Sequence, residues 1–306
     1  MGVNHPPLPV RILRLTGPRR RWVLDDGTGL YDLSEFLRQS GRPDDLFELA
    51  QDGWFGPEQL EAKLPRSGNT TWQPIEAGPD GLPKEGLGLP LARESVGKIL
   101  ALGKNFRAHA EEFHEAVPEE PLFFNKLPET LVPSGTPVKV PGWYRGRVDH
   151  EVELAVVIGL KGRDISIDDA MEYVAFYTLA NDLTARSLQG SDRKLGYPWF
   201  RAKNMDGFCP LGPALVPQGY LDPNNVALTA SVGSEVRQSA NTSDLVVTIP
   251  EAIAYLSRHL TLHPGDLILM GTPSGVGALE HGDVVICRGE PIGTLTTPIE
   301  RPESSR

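Results

Sequence analysis

Cysteine is scarce: Cys209 and Cys287 are the two in 306 residues, and no C-x-x-C spacing occurs. That excludes a thiolate zinc site and a disulfide framework, and reads both as small buried apolar residues. Long apolar runs are missing too. No stretch approaches the roughly 20 residues of a membrane helix, and Met1–Val10 carries prolines but no apolar export core. The expected compartment is therefore the cytoplasm, with no membrane partner, and the sequons at Asn69-Thr70-Thr71 and Asn241-Thr242-Ser243 read as chance matches. Basic charge is in the minority, 30 Lys and Arg against 40 Asp and Glu, a formal −10. The basic run Arg19–Arg21 reads as a solvated strand end, and without a dense cationic face nucleic acid is excluded as a partner. Gly86–Leu91 lacks the third glycine of a dinucleotide fingerprint, and Gly271–Gly277 lacks the Lys-Ser/Thr ending of a P-loop. Neither a G-x-S-x-G elbow nor an H-E-x-x-H pair is present, which argues against serine-hydrolase and zinc-protease chemistry.

What is there divides into two textures. Residues 10–32 alternate apolar and polar groups around Asp25-Asp26-Gly27, which predicts short strands joined by an Asp-Gly turn. A helix is expected over Asp32–Ala50, and a Gly/Pro/Asn-rich crossing over Ser67–Leu91. A boundary near Glu94 then gives a small β-rich N-terminal unit with linker (1–93) and a larger catalytic unit (94–306). In the latter, Lys98–Gly103 predicts a strand, Arg107–Ala116 a polar helix, and Asp169–Thr178 and Pro250–His259 apolar-faced helices. Gly-Asp turns at Gly265-Asp266 and Gly282-Asp283 open comparable strands. Many short strands with few helices predict a β-rich α+β roll or barrel, not a regular βαβ alternation.

The most informative stretch is Asp149-His150-Glu151-Val152-Glu153, which runs directly into Leu154–Ile158. On a strand, alternate side chains share a face about 7 Å apart. Such a row of acids beside a core suits either a hard divalent cation, which offsets carboxylate repulsion, or the polar face of a half-exposed strand. Asp182, in Asn181-Asp182, suits a second ligand position or an ordinary turn. His109 and Glu112 stand three apart, as a helical turn would align an imidazole with an orienting carboxylate; a solvated polar helix carries the same residues.

Six motifs occur in one order: Gly103-x-Asn105-Phe106-x-x-His109-x-x-Glu112; Phe123-Phe124-x-Lys126; Asp149-x-Glu151-x-Glu153 with the apolar run after it; Asn181-Asp182-x-Thr184-Ala185-Arg186-x-x-Gln189; Lys203-x-x-Asp206-x-Phe208-Cys209-Pro210; and Gly271-Thr272-Pro273-x-Gly275-Val276-Gly277. In this order and spacing, over residues 97–299, the chain closely resembles the fumarylacetoacetate hydrolase family, with the small N-terminal extension that many members carry. The resemblance implies a mixed β-roll or barrel and a homodimer. It also implies one Mg²⁺, with Mn²⁺ or Ca²⁺ as alternatives, on Glu151, Glu153 and Asp182. It gives His109 and Glu112 the activation of water, Lys203 a cationic role at the reacting carbonyl, and Gln189, Arg186, Thr272 and Lys126 places in the substrate pocket; Asp149 is expected to support the ligands. Departures are Phe106 where Tyr is usual, Ser187 for a frequent Asp, and Gly233-Ser234-Glu235 for the common Asn-Gly-Glu turn. None removes an implied ligand.

The implied activity is metal-dependent hydrolysis of the C3–C4 bond of a small 2,4-dioxo acid, through a metal-stabilised enolate. The alternatives are decarboxylation of a 2-oxo diacid, isomerisation of a hydroxymuconate-type compound, or dehydration of a sugar-derived 2-oxo acid on the same site. A catalytically silent metal-binding protein is the reading from a different class.

Overall fold

The structure, a computed structural model, describes residues 9–17, 21–107 and 120–301. Its largest sheet runs, in spatial order, Leu30–Asp32, Trp22–Asp25, Arg11–Arg14, Cys209–Pro217, Val174–Asn181, Val152–Ile158, Leu267–Leu269, Ile99–Gly103 and Leu122–Lys126; Leu131–Pro133 also pairs with Cys209–Pro217. A second, five-stranded sheet contains Ala227–Val232, Glu235–Asn241, Val284–Gly289, Gly293–Glu300 and Val138–Lys139. The α+β, β-rich class expected from the sequence is the one observed. Among the described residues the sheets remain open, so the roll description holds and no closed barrel forms.

Val152–Ile158 explains why the centre sits where it does. Every residue of this strand is buried, as a strand covered on both faces requires, and each fully buried Val, Leu or Ile contributes about 1.5–3 kcal/mol relative to exposure. Glu153 is the one ionisable residue in that run, and it lies at the end nearest Val148–Asp149. The strand pairs antiparallel with Val174–Asn181, placing Glu153 opposite Ala180 and Val152 opposite Asn181. Two carboxylate-bearing segments, 149–153 and 181–182, are thus brought together by register.

The expected N-terminal unit is joined to the rest through both sheet and core. Ile12 pairs with Leu215, and Phe47 and Phe55 meet Phe176 edge-on, with ring centroids at 6.4 and 5.2 Å. The Asp-Gly turn forms as expected, with Asp26 Oδ1 accepting from the Thr28 and Gly29 amides. The single helix expected over Asp32–Ala50 is two, Leu33–Gln39 and Leu46–Gln51, because Gly41 and Pro43 interrupt it. The helix expected over Asp169–Thr178 is a correction: Ala170–Tyr173 makes one short 3₁₀ turn and Val174–Asn181 is a strand buried along its length. An apolar run rich in aromatic and β-branched residues fits both periods, and burial on both sides selects the strand. Ile249–His259 is a helix, closed at its start by Thr248 and Glu251 in a reciprocal cap. Of the helix expected at Arg107–Ala116, residues 108–116 lie outside the described part.

Candidate active site

Glu151, Glu153 and Asp182 are all buried, and each offers an oxygen within 4.8 Å of the others. Their positions are set by backbone bonds. Asn181 Oδ1 accepts from the Glu151 amide (3.0 Å) and the Asp182 amide donates to the Glu151 carbonyl (2.8 Å). The Asn-Asp pair therefore couples the strand end to the turn as well as supplying an acid. Glu153 Oε2 accepts from the Gly271 amide at 2.6 Å, which ties the Gly271–Gly277 loop to the centre.

Cations surround the acids. Lys203 Nζ lies 2.8 Å from Glu151 Oε2 and 2.5 Å from Asp182 Oδ2. Arg186 donates to Asp149 Oδ2 (2.8 Å), to Gln189 Oε1 (2.7 Å) and to Glu151 Oε1. Arg147 also pairs with Asp149, so this carboxylate is held by two guanidinium groups and lies outside the ligand set, in keeping with a supporting part. Burial drives the Glu153 carboxyl well above the ordinary glutamate range, and the charges of Asp182 and Glu151 push it further the same way. Burial alone would lower the pKa of the Lys203 ammonium. Asp182 and Glu151 outweigh that and hold its pKa above the ordinary value.

Lys126 stands differently from its expected place in the substrate pocket. Its side chain is fully buried, with Nζ 2.7 Å from Asp182 Oδ1 and donating to the Lys203 carbonyl at 2.5 Å. Lys126 closes the edge strand Leu122–Lys126 and is not among the residues lining the cavity; pairing with the buried Asp182 carboxylate satisfies it.

The acids floor a cavity of about 210 Å³ whose wall includes Phe124, Trp199, Arg186, Gln189, Lys203 and Thr272. Phe124 and Trp199 meet edge-on at 5.5 Å, and Lys203 Nζ lies 4.8 Å from the Phe124 ring centroid. Thr272 Oγ1 accepts from Gln238 Nε2 at 2.8 Å, leaving its hydroxyl proton free to donate. Gln238 also accepts from the Val152 amide and bonds His150 Nδ1, so one buried amide clamps loop to strand. Sequence reasoning gave Gln238 no role, nor Asn105, whose side chain bonds Val247 and the Met270 carbonyl. Both act through contacts distant in sequence, and the one legible hint was Asn105 within the Gly-x-Asn motif. Of the expected residues, Glu151, Glu153, Asp182, Lys203, Arg186, Gln189 and Thr272 come together at the cavity. His109 and Glu112 lie outside the described residues.

The donor set, three carboxylates and no nitrogen or sulfur, suits a hard divalent cation. Glu153 fits that test as well, since three neighbouring acids hold more negative charge than burial lets them keep ionised. The fold and site thus define a candidate metal centre at the floor of an anion-compatible cavity.

Residues 98–300 match the fumarylacetoacetate (FAA) hydrolase C-terminal family, and the chain belongs to that family. It is 39% identical over 216 residues to the mitochondrial oxaloacetate tautomerase FAHD1 of Bos taurus, covering 70% of this chain and 97% of that one. The fumarylpyruvate hydrolase of Pseudomonas aeruginosa, solved with Mn²⁺ and pyruvate, superposes with a TM-score of 0.64 at 34% identity, over 68% of this chain and 91% of that one. The 2-hydroxyhepta-2,4-diene-1,7-dioate isomerase of Mycobacterium marinum covers 96% of this chain and 100% of its own, with a TM-score of 0.67 and 30% identity. The family's members are enzymes, so this chain is read as one. Among the described residues no helix is long and apolar enough to cross a membrane.

Proposed function

We propose that the chain hydrolyses the C3–C4 bond of a small 2,4-dioxo acid of the acylpyruvate or fumarylpyruvate type. The observation that carries this reading is the buried triad Glu151, Glu153 and Asp182 on the floor of a cavity also lined by Arg186 and Lys203. These three acids would hold Mg²⁺, or Mn²⁺, which when bound supplies Lewis-acid charge for the carboxylate and 2-oxo oxygens of the substrate.

Charge balance supports an anionic substrate. Asp149, Glu151, Glu153 and Asp182 face Arg147, Arg186, Lys126 and Lys203, four acids against four bases. A divalent cation leaves two positive charges, which a carboxylate and an enolate oxygen together neutralise. Thr272 Oγ1, relieved of acceptor duty by Gln238, donates to the substrate carboxylate. Lys203 Nζ donates to the 4-oxygen, where charge gathers as water adds. By resemblance, His109, oriented by Glu112, takes the proton of the attacking water. The water oxygen bonds to C4, the C3–C4 bond breaks, and its electron pair passes into a pyruvate enolate. The proton from His109 then goes to C3, giving pyruvate and a carboxylic acid.

A second reading, keto-enol exchange of oxaloacetate, draws on the 39% identity to the bovine tautomerase. It passes through an enolate of oxaloacetate itself, at the same C2–C3 position beside the carboxylate, and needs no water. The homodimer expected from the resemblance is kept as part of this proposal and is read by light scattering. The deciding assay follows the enol absorbance of acetylpyruvate and fumarylpyruvate with Mg²⁺ and measures pyruvate separately. Pyruvate formed in step with absorbance loss, and abolished by chelator, supports hydrolysis; absorbance loss with no pyruvate sinks it in favour of enol exchange or isomerisation.

A further inference from the structure

Asn105 stands just past the strand Ile99–Gly103, is buried, and uses its side-chain amide completely. Nδ2 donates to the Val247 carbonyl (3.0 Å) and to the Met270 carbonyl (2.8 Å), while Oδ1 accepts from the Val247 amide (2.7 Å). A carbonyl only accepts and an N–H only donates, so the side chain has one possible orientation and no donor left over. Aspartate has no donor for either carbonyl, and glutamine is one carbon too long for the same three bonds.

The Met270 carbonyl belongs to the same peptide unit as the Gly271 N–H, and that N–H donates to Glu153 Oε2 at 2.6 Å. In a trans peptide the two groups point in opposite directions within one plane. A continuous line of hydrogen bonds therefore runs from Asn105 Nδ2 through the Met270–Gly271 peptide to the Glu153 carboxylate. Bonds in such a line polarise one another, so donation to the carbonyl strengthens the N–H on the far side. The turn is shaped for this approach: Gly271 has φ +89°, and a Cβ there would stand 2.8 Å from Asn105 Cβ. Glycine at this position lets the strand end that carries Asn105 close on the peptide.

We propose that Asn105 is a positioning residue for the metal centre, holding the Glu153 carboxylate in place through the Met270–Gly271 peptide. This role rests on the reading of Glu153 as a ligand, and it falls to a residue outside the cavity, since Asn105 is absent from the lining around the acids. Partners that orient a ligating carboxylate are worth roughly 10–100-fold in metal affinity. The Gly-x-Asn and Gly-Thr-Pro motifs, far apart in the chain, meet here for that purpose.

The test needs no turnover. Mg²⁺ binding to the full chain is measured by calorimetry for the wild type, Asn105→Asp and Asn105→Ser, beside amide spectra of ¹⁵N-glycine protein. Carbonyl-labelled methionine then selects the Met1-Gly2 and Met270-Gly271 pairs, and the signal that Glu153→Gln shifts is Gly271. Both Asn105 variants are expected to raise the Mg²⁺ Kd by about tenfold or more. In the metal-free protein they should also move the Gly271 amide proton upfield, as a weakened bond to Glu153 does. The other glycine amides should hold their wild-type positions, which damage to the fold at large would not allow. Where a substitution unfolds the chain, the wild type decides: titration with Mg²⁺ should shift the Gly271 amide and the Asn105 side-chain amide together. Unaltered affinity in folded variants, an unmoved Gly271 proton, or an Asn105 amide indifferent to saturating Mg²⁺ would overturn the role of Asn105 alone. A wild-type chain that binds no Mg²⁺ would instead remove the ligand reading of Glu153, and this role with it.

Discussion

Lys126 and Asp182 form an ion pair in which neither side chain has any solvent exposure, at 2.7 Å, while Lys203 holds the other Asp182 oxygen at 2.5 Å. Breaking a buried pair by removing one partner costs about 3–5 kcal/mol, an upper bound here because Lys203 still partners Asp182. Lys126→Met should therefore lower stability by up to that amount in denaturant unfolding, and weaken Mg²⁺ binding because Asp182 is held by one cation instead of two. Lys126→Met combined with Asp182→Asn should recover most of the stability but not the metal affinity. A single variant as stable as the wild type would show that the pair contributes nothing.

The acid triad was legible through the family resemblance: Glu151 and Glu153 stand two apart at the start of an apolar run, and Asn181-Asp182 follows in the family's order, whereas the spacing alone left a half-exposed strand face equally open. The helix at Ile249–His259 was legible from its apolar spacing. Other features depend on which distant segments pair. The segment read as a helix over Asp169–Thr178 is strand from Val174 on because Val152–Ile158 and Cys209–Pro217 pair with it and bury it. Lys126 reaches Asp182 and the Lys203 carbonyl because its strand pairs with Ile99–Gly103, a contact no local pattern announces.

The proton on Glu153 gives a pH dependence with a definite sign. Its carboxyl is held above the ordinary range by burial, then by Asp182 and Glu151, so in the metal-free protein it stays protonated where an ordinary glutamate has ionised. A cation must displace that proton. Mg²⁺ affinity should consequently rise with pH, by up to about tenfold per unit while one proton is released, and level off once Glu153 ionises unaided. Calorimetry in buffers of different ionisation enthalpy counts the proton. In Glu153→Gln the release should vanish together with most of the affinity; a flat pH profile in the wild type would remove Glu153 from the ligand set.

Arg186 offers a test of geometry against charge. It reaches Asp149, Glu151 and Gln189 from one planar fork, a pattern that lysine cannot reproduce. Arg186→Lys keeps the charge and should still reduce kcat/KM by about a hundredfold, with the protein folded by circular dichroism. Activity within threefold of wild type would mean that charge alone suffices there.

The loop after Met270 depends on backbone space. Gly275 has φ +96°, and a Cβ built there would stand 1.9 Å from the Arg237 carbonyl oxygen. Alanine therefore meets both a disfavoured conformation, about 1–2 kcal/mol, and backbone that must move. That movement reaches Thr272 through Gln238, which follows Arg237 and bonds both the Thr272 hydroxyl and the Pro273 carbonyl. Because Thr272 is assigned to the substrate and not to the metal, Gly275→Ala should raise KM by about tenfold or more with Mg²⁺ affinity changed far less. An equal loss of both would place the loop's role in holding Glu153, through the Gly271 amide, and would count against Thr272 as a substrate contact.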